Sequence, residues 1–228
     1  MELTKGRFLS ETKIEVIVAI MLGVTALFSA WAGWIGSLHG GNQATNYTVS
    51  NNLASEGNSE YVAGLQLYNS DMSTWTQINS LMVDLYTGSV TGEVLESKVT
   101  LLLENCANPE FVDAVDWAMD QSSPEKGIVS PFTKPGFSES YFVASDSLIT
   151  QSQEVLEQGK ADNTNGDTYN LVTVIYTVIL FMLGIIGTFK KVPNREIILA
   201  FSVVMFLATT IFMLTLPMPT GFSLFSFF

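Results

Sequence analysis

The sequence predicts an all-α fold: an integral membrane protein with three transmembrane helices and a long antiparallel helical stalk outside. Three observations predict it. Apolar stretches run over residues 14–38, 169–189 and 197–216, and each is long enough to cross a bilayer, which takes ~20 apolar residues. Their middles carry no Lys, Arg, Asp or Glu, and Glu15, beside the start of the first, is the one acid inside them. The long segment between the first and second stretches keeps a helical four-and-three rhythm, with no strand-like alternation of any length.

Charge sets the expected orientation. The net charge of −12 is unevenly spread: residues 40–168 hold 18 acids against Lys98, Lys126, Lys134 and Lys160. The N-terminal tail instead holds Lys5, Arg7 and Lys13, and the loop between the last two stretches holds Lys190, Lys191 and Arg195. Basic residues near span ends stay cytoplasmic, and three spans place both basic flanks on one side. The expected organisation is a cytoplasmic tail (1–13), transmembrane helix 1 (14–38), an extracytoplasmic helical domain (39–168), transmembrane helix 2 (169–189), a cytoplasmic loop (190–196), transmembrane helix 3 (197–216), and an apolar C-terminal tail at the outer interface (217–228). The protein is expected in the plasma (cytoplasmic) membrane, multi-pass, with its N-terminus inside and both 39–168 and the C-terminus outside. Ala30-Trp31-Ala32 offers a small-x-small cleavage site, yet apolar residues continue through Trp34 and Ile35. A retained anchor is therefore expected.

The first span carries a stripe of small residues, Ala19, Gly23, Ala26, Ala30, Gly33 and Ser37, which lets helix backbones approach closely in lipid. Trp31 and Trp34 stand at its outer end, where amphipathic rings favour the interface. Beyond Gly40-Gly41, a place to break or bend the helix, a heptad seam runs Tyr47, Asn51, Ala54, Asn58, Tyr61, Leu65, Tyr68, Met72, Trp75, Asn79, Met82, Tyr86. Gly88 is the stop signal. A shorter helix is expected over 93–106. Asn108-Pro109-Glu110 then starts the next as N-cap, first-turn proline and first-turn acid, and Ser122-Ser123-Pro124 ends it near Gln121. Residues 122–137, with three prolines and two glycines, read as an irregular, partly extended loop. Ser138 is expected to cap the last outer helix. Its seam, Tyr141, Ser145, Leu148, Ser152, Val155, Gly159, Asp162, Gly166, Tyr169, runs on into the second span as one helix. The weak helix formers at 163–167 offer a break as the alternative.

The chemistry-bearing residues are few. Asp113, Asp116 and Asp120 share a helical face on which oxygen ligands could meet Ca²⁺ or Mg²⁺; no glycine-turned loop accompanies them, so a solvated face is favoured. Residues 163–167 lack the closing glutamate of a calcium loop. Asp71, four residues before Trp75, falls beside the seam, and a rim position is favoured over a buried functional acid. A single cysteine, Cys106, supplies no internal disulfide framework and reads as a small buried apolar residue, with an intermolecular bridge as the sharper reading. The lone His39 lacks a credible nucleophile, and no metal site, cofactor motif, phosphate loop, HExxH or CxxC is legible. No enzyme and no cofactor are expected. The acidic excess argues against nucleic acid as a partner and against adhesion of the outer domain to anionic lipid. Asn46-Tyr47-Thr48 is a glycosylation acceptor only in a eukaryotic secretory route.

The layout resembles that of uncharacterised prokaryotic three-span membrane proteins with an N-terminal transmembrane helix, a helical extracytoplasmic domain and a C-terminal transmembrane hairpin. The matching pieces are Asp71 with Trp75, Ser130-Pro131-Phe132, Asp167-Thr168-Tyr169 leading into Leu171-Val172-Thr173-Val174, and Phe181. The resemblance implies fold and location, not an activity. The expected role is non-enzymatic: assembly, or service as an accessory subunit through the outer domain. The partners are the bilayer and either copies of the chain or another membrane protein. Gly23, Ala26, Ala30 and Gly33 in the first span and Tyr61, Leu65, Tyr68, Met72 and Trp75 in the seam are the candidate packing surfaces. The alternative is an oligomeric ion channel with an uncharged pore along Thr25 and Ser29 and an acidic outer vestibule.

Overall fold

The computed structural model describes residues 11–106, 108–189 and 194–222. The expected cytoplasmic tail up to residue 10, most of the 190–196 loop and the end of the C-terminal tail lie outside these residues. Every regular element is helical: α1 (Glu11–Tyr86), α2 (Gly92–Glu104), α3 (Pro109–Gln121), a 3₁₀ turn (Pro131–Thr133), α4 (Phe137–Ser140), α5 (Val143–Thr188) and α6 (Arg195–Leu214). Among the described residues there is no strand, only an isolated bridge between Ser123 and Gly127. Three helices, α1, α5 and α6, are long and apolar enough to cross a membrane.

The chain divides into two compact units: one takes residues up to Thr48 and from Val155 onward, the other is Val49–Glu154. α1 and α5 contribute to both. In the first unit, Ile14, Val18, Ala32 and Ile35 of α1 meet Tyr169, Val172, Tyr176, Ile179, Leu183 and Ile186 of α5, together with Leu199, Phe206 and Met213 of α6. The α5 positions recur at three and four and the α6 positions at seven, so each helix offers one stripe to the others. The opposite faces stay apolar and exposed: Val16, Ile20 and Leu27 on α1, Leu171, Val174, Val178 and Phe181 on α5, Ile197, Phe201, Val204 and Leu207 on α6.

In the second unit, Trp75, Ile78 and Met82 of α1 pack with Leu95 and Val99 of α2, Phe111, Ala114, Val115 and Ala118 of α3, and Phe137 and Tyr141. Phe132, Phe137, Tyr141 and Tyr68 form a chain of ring contacts with centroids 5.0–5.7 Å apart. Ser130 accepts from the Phe132 amide and so fixes the turn that delivers Pro131 and Phe132 to this core.

Several local expectations hold. α1 stops at Tyr86 in a Schellman closure, with Gly88 at φ +75°, the Gly88 amide on the Leu85 carbonyl and the Ser89 amide on the Asp84 carbonyl. Asn108 caps α3 through the Glu110 amide at 3.1 Å, and Pro109 opens the helix. α5 passes through 163–167 without a break; Thr164 and Thr168 return their hydroxyls to carbonyls one turn back, which keeps them from competing elsewhere for the backbone, and Asn163 donates to Asp167. At Gly40-Gly41 the outcome differs from the expected break or bend: α1 runs through it as one helix.

Three expectations need correction. Ser138 does not cap the long helix: it sits inside α4, which Gly136 opens at φ +79°, and its hydroxyl donates to the Phe132 carbonyl. In the α1 seam, the row Asn51, Asn58, Leu65, Met72, Asn79 is not the inward one. The inward row lies one residue earlier, at Ser50, Gly57, Gly64, Asp71 and Ile78, alongside Trp75 and Met82. Asn51 and Asn58 are exposed, and Tyr61 is 46% exposed. Asp71 is therefore on the seam and not at its rim. Hydrophobicity could not find this row, because two of its members are glycines, Gly57 admitting the side chains of Ile149 and Leu148 and Gly64 the backbone of Tyr141, and one is an acid.

Candidate functional site

Two buried polar nodes stand out, one in each unit. In the second unit Asp71 is 2% exposed. Its Oδ2 accepts from the Asn108 side-chain amide at 2.7 Å and from the Tyr141 hydroxyl at 2.8 Å. Asn108 thus uses its oxygen to cap α3 and its nitrogen to hold α1. Cys106 lies half-buried close by, and its thiol donates to the Leu102 carbonyl. Burial and the Asp71 carboxylate push the thiol up, against a bond with Thr74 that lowers it. It is held as a thiol, the form that is inert as nucleophile and ligand.

Burial, and next the bond to the Asp71 carboxylate, push the Tyr141 phenol well above its ordinary value. The folded protein keeps a proton that the unfolded chain releases near about pH 10. The stability this contributes is complete below that pH and declines as pH rises further. Tyr141→Phe should flatten this alkaline decline while lowering the melting temperature at neutral pH. Thermal unfolding followed from neutral to strongly alkaline pH checks both, and an unchanged alkaline slope in the variant would refute the assignment.

In the first unit the lone histidine is the node. His39 is 1% exposed, with Nδ1 at 2.8 Å from Asp162 Oδ1 and Nε2 at 3.1 Å from the Pro217 carbonyl oxygen. Its ring stacks on Tyr169 at 5.8 Å between centroids. Asp162 Oδ2 accepts from the Asn46 amide at 3.1 Å. Glycines make this reach possible: a Cβ at Gly36 would lie 3.3 Å from Tyr169 Cβ, and one at Gly166 would lie 3.4 Å from His39 Cβ. The contact partners along α5 descend from Thr173 to Gly159 as those on α1 ascend from Gly33 to Tyr47.

The remaining predicted residues fall as follows. Ala19, Gly23, Ala26 and Ala30 are exposed, and a Cβ added at Gly23 meets nothing within 4 Å. Gly33 is half-buried near Thr173. Thr25 is fully buried inside the first unit, its hydroxyl without a hydrogen-bond partner among the described residues, and Ser29 is half-buried. Trp75 is buried, Tyr68, Leu65 and Met72 are half-buried, and Tyr61 leans its ring on Phe142. Asp113, Asp116 and Asp120 are exposed, and no group of three His, Cys, Asp or Glu side chains is placed to hold a metal among the described residues. Sequence reasoning missed the His39–Asp162 pair and the second role of Asn108. The signal for the first was that Asp162 lies on the predicted α5 seam, which faces the helix bearing His39.

The chain matches no protein-family model, no curated protein and no solved structure.

Proposed function

We propose that the chain is a three-span protein of a prokaryotic plasma membrane that acts without catalysis, as an assembly or accessory subunit. Its α1 and α5 would rise from the bilayer as an antiparallel stalk, with residues 39–168 outside and the basic flanks at Lys5, Arg7, Lys13 and Lys190, Lys191, Arg195 inside. One observation carries the assembly reading. The stripe Ala19, Gly23, Ala26, Ala30 is exposed, and the protomer leaves open space at Gly23. The large apolar side chains exposed on α5 and α6 suit lipid, whereas small residues suit another helix backbone. The occupant is a second copy or a helix of another membrane protein.

The test is native mass spectrometry of the full chain extracted in mild detergent. The wild type should carry its own copies or a co-extracted membrane protein. The pair Gly23→Leu with Ala26→Leu should run alone while keeping its helix content and a cooperative melt, since a Cβ at Gly23 has no neighbour within 4 Å in the protomer and Ala26 is exposed. A wild type that runs alone, or a variant that keeps its company, would end the proposal.

An oligomeric channel is the second reading, supported by the Thr25 hydroxyl, which has no hydrogen-bond partner among the described residues. Ion flux into vesicles carrying the purified chain, lost on Thr25→Val, would raise it above the first. Thr25 is packed inside its own protomer, however, so a pore there requires the three helices to part.

A further inference from the structure

We propose that His39 and Asp162 form a proton-operated latch that fastens the segment after α6 to the face of α1. The hydrogen-bond roles lead to it. A backbone carbonyl such as that of Pro217 only accepts, and an ionised carboxylate only accepts. Both ring nitrogens of His39 face such oxygens, at 3.1 and 2.8 Å. The arrangement is complete only when two protons lie between the ring and these acceptors, as in an imidazolium paired with a carboxylate.

The surroundings leave that role to this pair. α1 contributes Asn46, which donates to Asp162 Oδ2, and Asn42; α5 contributes Asp162 itself and the Tyr169 ring; among the described residues the segment after α6 contributes the Pro217 carbonyl, Met218 and Thr220. Lys160, two residues from Asp162, is turned to solvent and paired with Glu157. Loss of the extra proton leaves Asp162 its bond from Nδ1 and turns the Nε2 lone pair toward the Pro217 oxygen. Two acceptors then face each other across a part-buried contact, between the buried ring and the exposed Pro217, and the contact becomes repulsive. The segment's other ties are exposed hydrogen bonds, a sulfur contact, and apolar packing of Leu216 and Phe222 on the helices, with Pro219 buried. Asn42 donates to the Thr220 carbonyl and hydroxyl at 3.2 and 3.1 Å, Tyr169 meets the Met218 sulfur at 3.9 Å, and Phe222 leans edge-on against Trp31 and Trp34. The latch closes with proton uptake and opens with proton loss.

A nitroxide at Thr220→Cys in the full chain, with Cys106→Ser to leave one thiol, reads the segment directly. Its electron paramagnetic resonance spectrum should be immobilised at about pH 5 and gain a mobile component, reversibly, by about pH 8.5, on either side of the ordinary imidazole range. His39→Gln should abolish the transition. Asp162→Asn should move its midpoint to lower pH, because the imidazolium loses its counter-charge. One spectrum at both pH values, a transition that survives His39→Gln, or an Asp162→Asn midpoint that stays put or rises would overturn the latch.

Discussion

Gly64→Ala is expected to be the most damaging single-methyl change in the chain. A Cβ at Gly64 would fall on the backbone carbonyl oxygen of Tyr141, inside any allowed contact. The obstructing atom is main chain, so no rotamer change relieves it, and the two segments must part. Overpacking of this kind costs about 1–3 kcal/mol and occasionally more. That exceeds the ~1 kcal/mol that alanine gains over glycine within a helix. The glycines form a graded series. At Gly57 the new methyl would sit 3.0 Å from the end of Ile149 and 3.2 Å from Leu148 Cβ, a smaller loss. At Gly159 it would meet the Tyr47 ring at 2.6 Å, but that ring is half-exposed and can swing away. At Gly41 nothing lies within 4 Å, and Gly41→Ala should raise stability by up to ~1 kcal/mol. Each kcal/mol moves the melting midpoint of a chain this size by about 2–4 °C. Thermal unfolding of the four variants should therefore rank them Gly64, Gly57, Gly159, Gly41 from least to most stable. A Gly64→Ala protein that melts with the wild type would disprove the close approach.

That series also marks where the sequence stops being legible. Apolar length and the bias of charge gave the three candidate spans, and local chemistry gave Asn108, Pro109 and Gly88 their places, since caps and stops act through neighbours a few residues away. The α5 seam was legible for a related reason: Tyr141, Ser145, Ser152, Gly159, Asp162, Gly166 and Tyr169 of that seam are all buried. The inward row of α1 was harder. Ser50 and Ser152 exchange hydroxyl-to-carbonyl bonds at 2.9 Å in both directions, and Gly57 and Gly64 accept a partner's atoms in place of a side chain. Such positions are chosen for what they lack, so a pattern of large apolar residues slides past them to the next position. Ser138 shows the same limit in a turn. Its hydroxyl has the chemistry of a cap, but the left-handed backbone at Gly136 two residues earlier decides where the helix opens. His39 and Asp162 lie 123 residues apart, and nothing local predicts that pairing.

Asp71→Ala is expected to cost about 2–6 kcal/mol, because each of two buried donors left without its acceptor carries a penalty of roughly 1–3 kcal/mol. The donors are the Asn108 amide and the Tyr141 hydroxyl, which converge on one oxygen, Oδ2, and both residues are buried. That convergence makes Asp71→Asn the informative companion. An asparagine that points its carbonyl oxygen to the same place accepts both bonds and loses only the strengthening that a charged acceptor provides, about 1 kcal/mol. Asp71→Leu restores volume but no acceptor, so it should fall with alanine and not with asparagine. A purely steric role predicts the reverse order. The loss should also spread to α3, since Asn108 holds Asp71 with its nitrogen while capping α3 with its oxygen. Hydrogen exchange at the first turn of α3 should therefore quicken in Asp71→Ala, beyond what the fall in global stability explains. In a double-mutant cycle with Tyr141→Phe, the pair should show a coupling of roughly 1–3 kcal/mol. Equal stability of Asp71→Ala and the wild type, or zero coupling to Tyr141, would mean that the carboxylate does not tie these segments together. The expected outcome instead gives the buried acid a definite job: one oxygen atom sets α1, the start of α3 and the residue after α4 in register, which a set of aromatic contacts alone would leave free to slide.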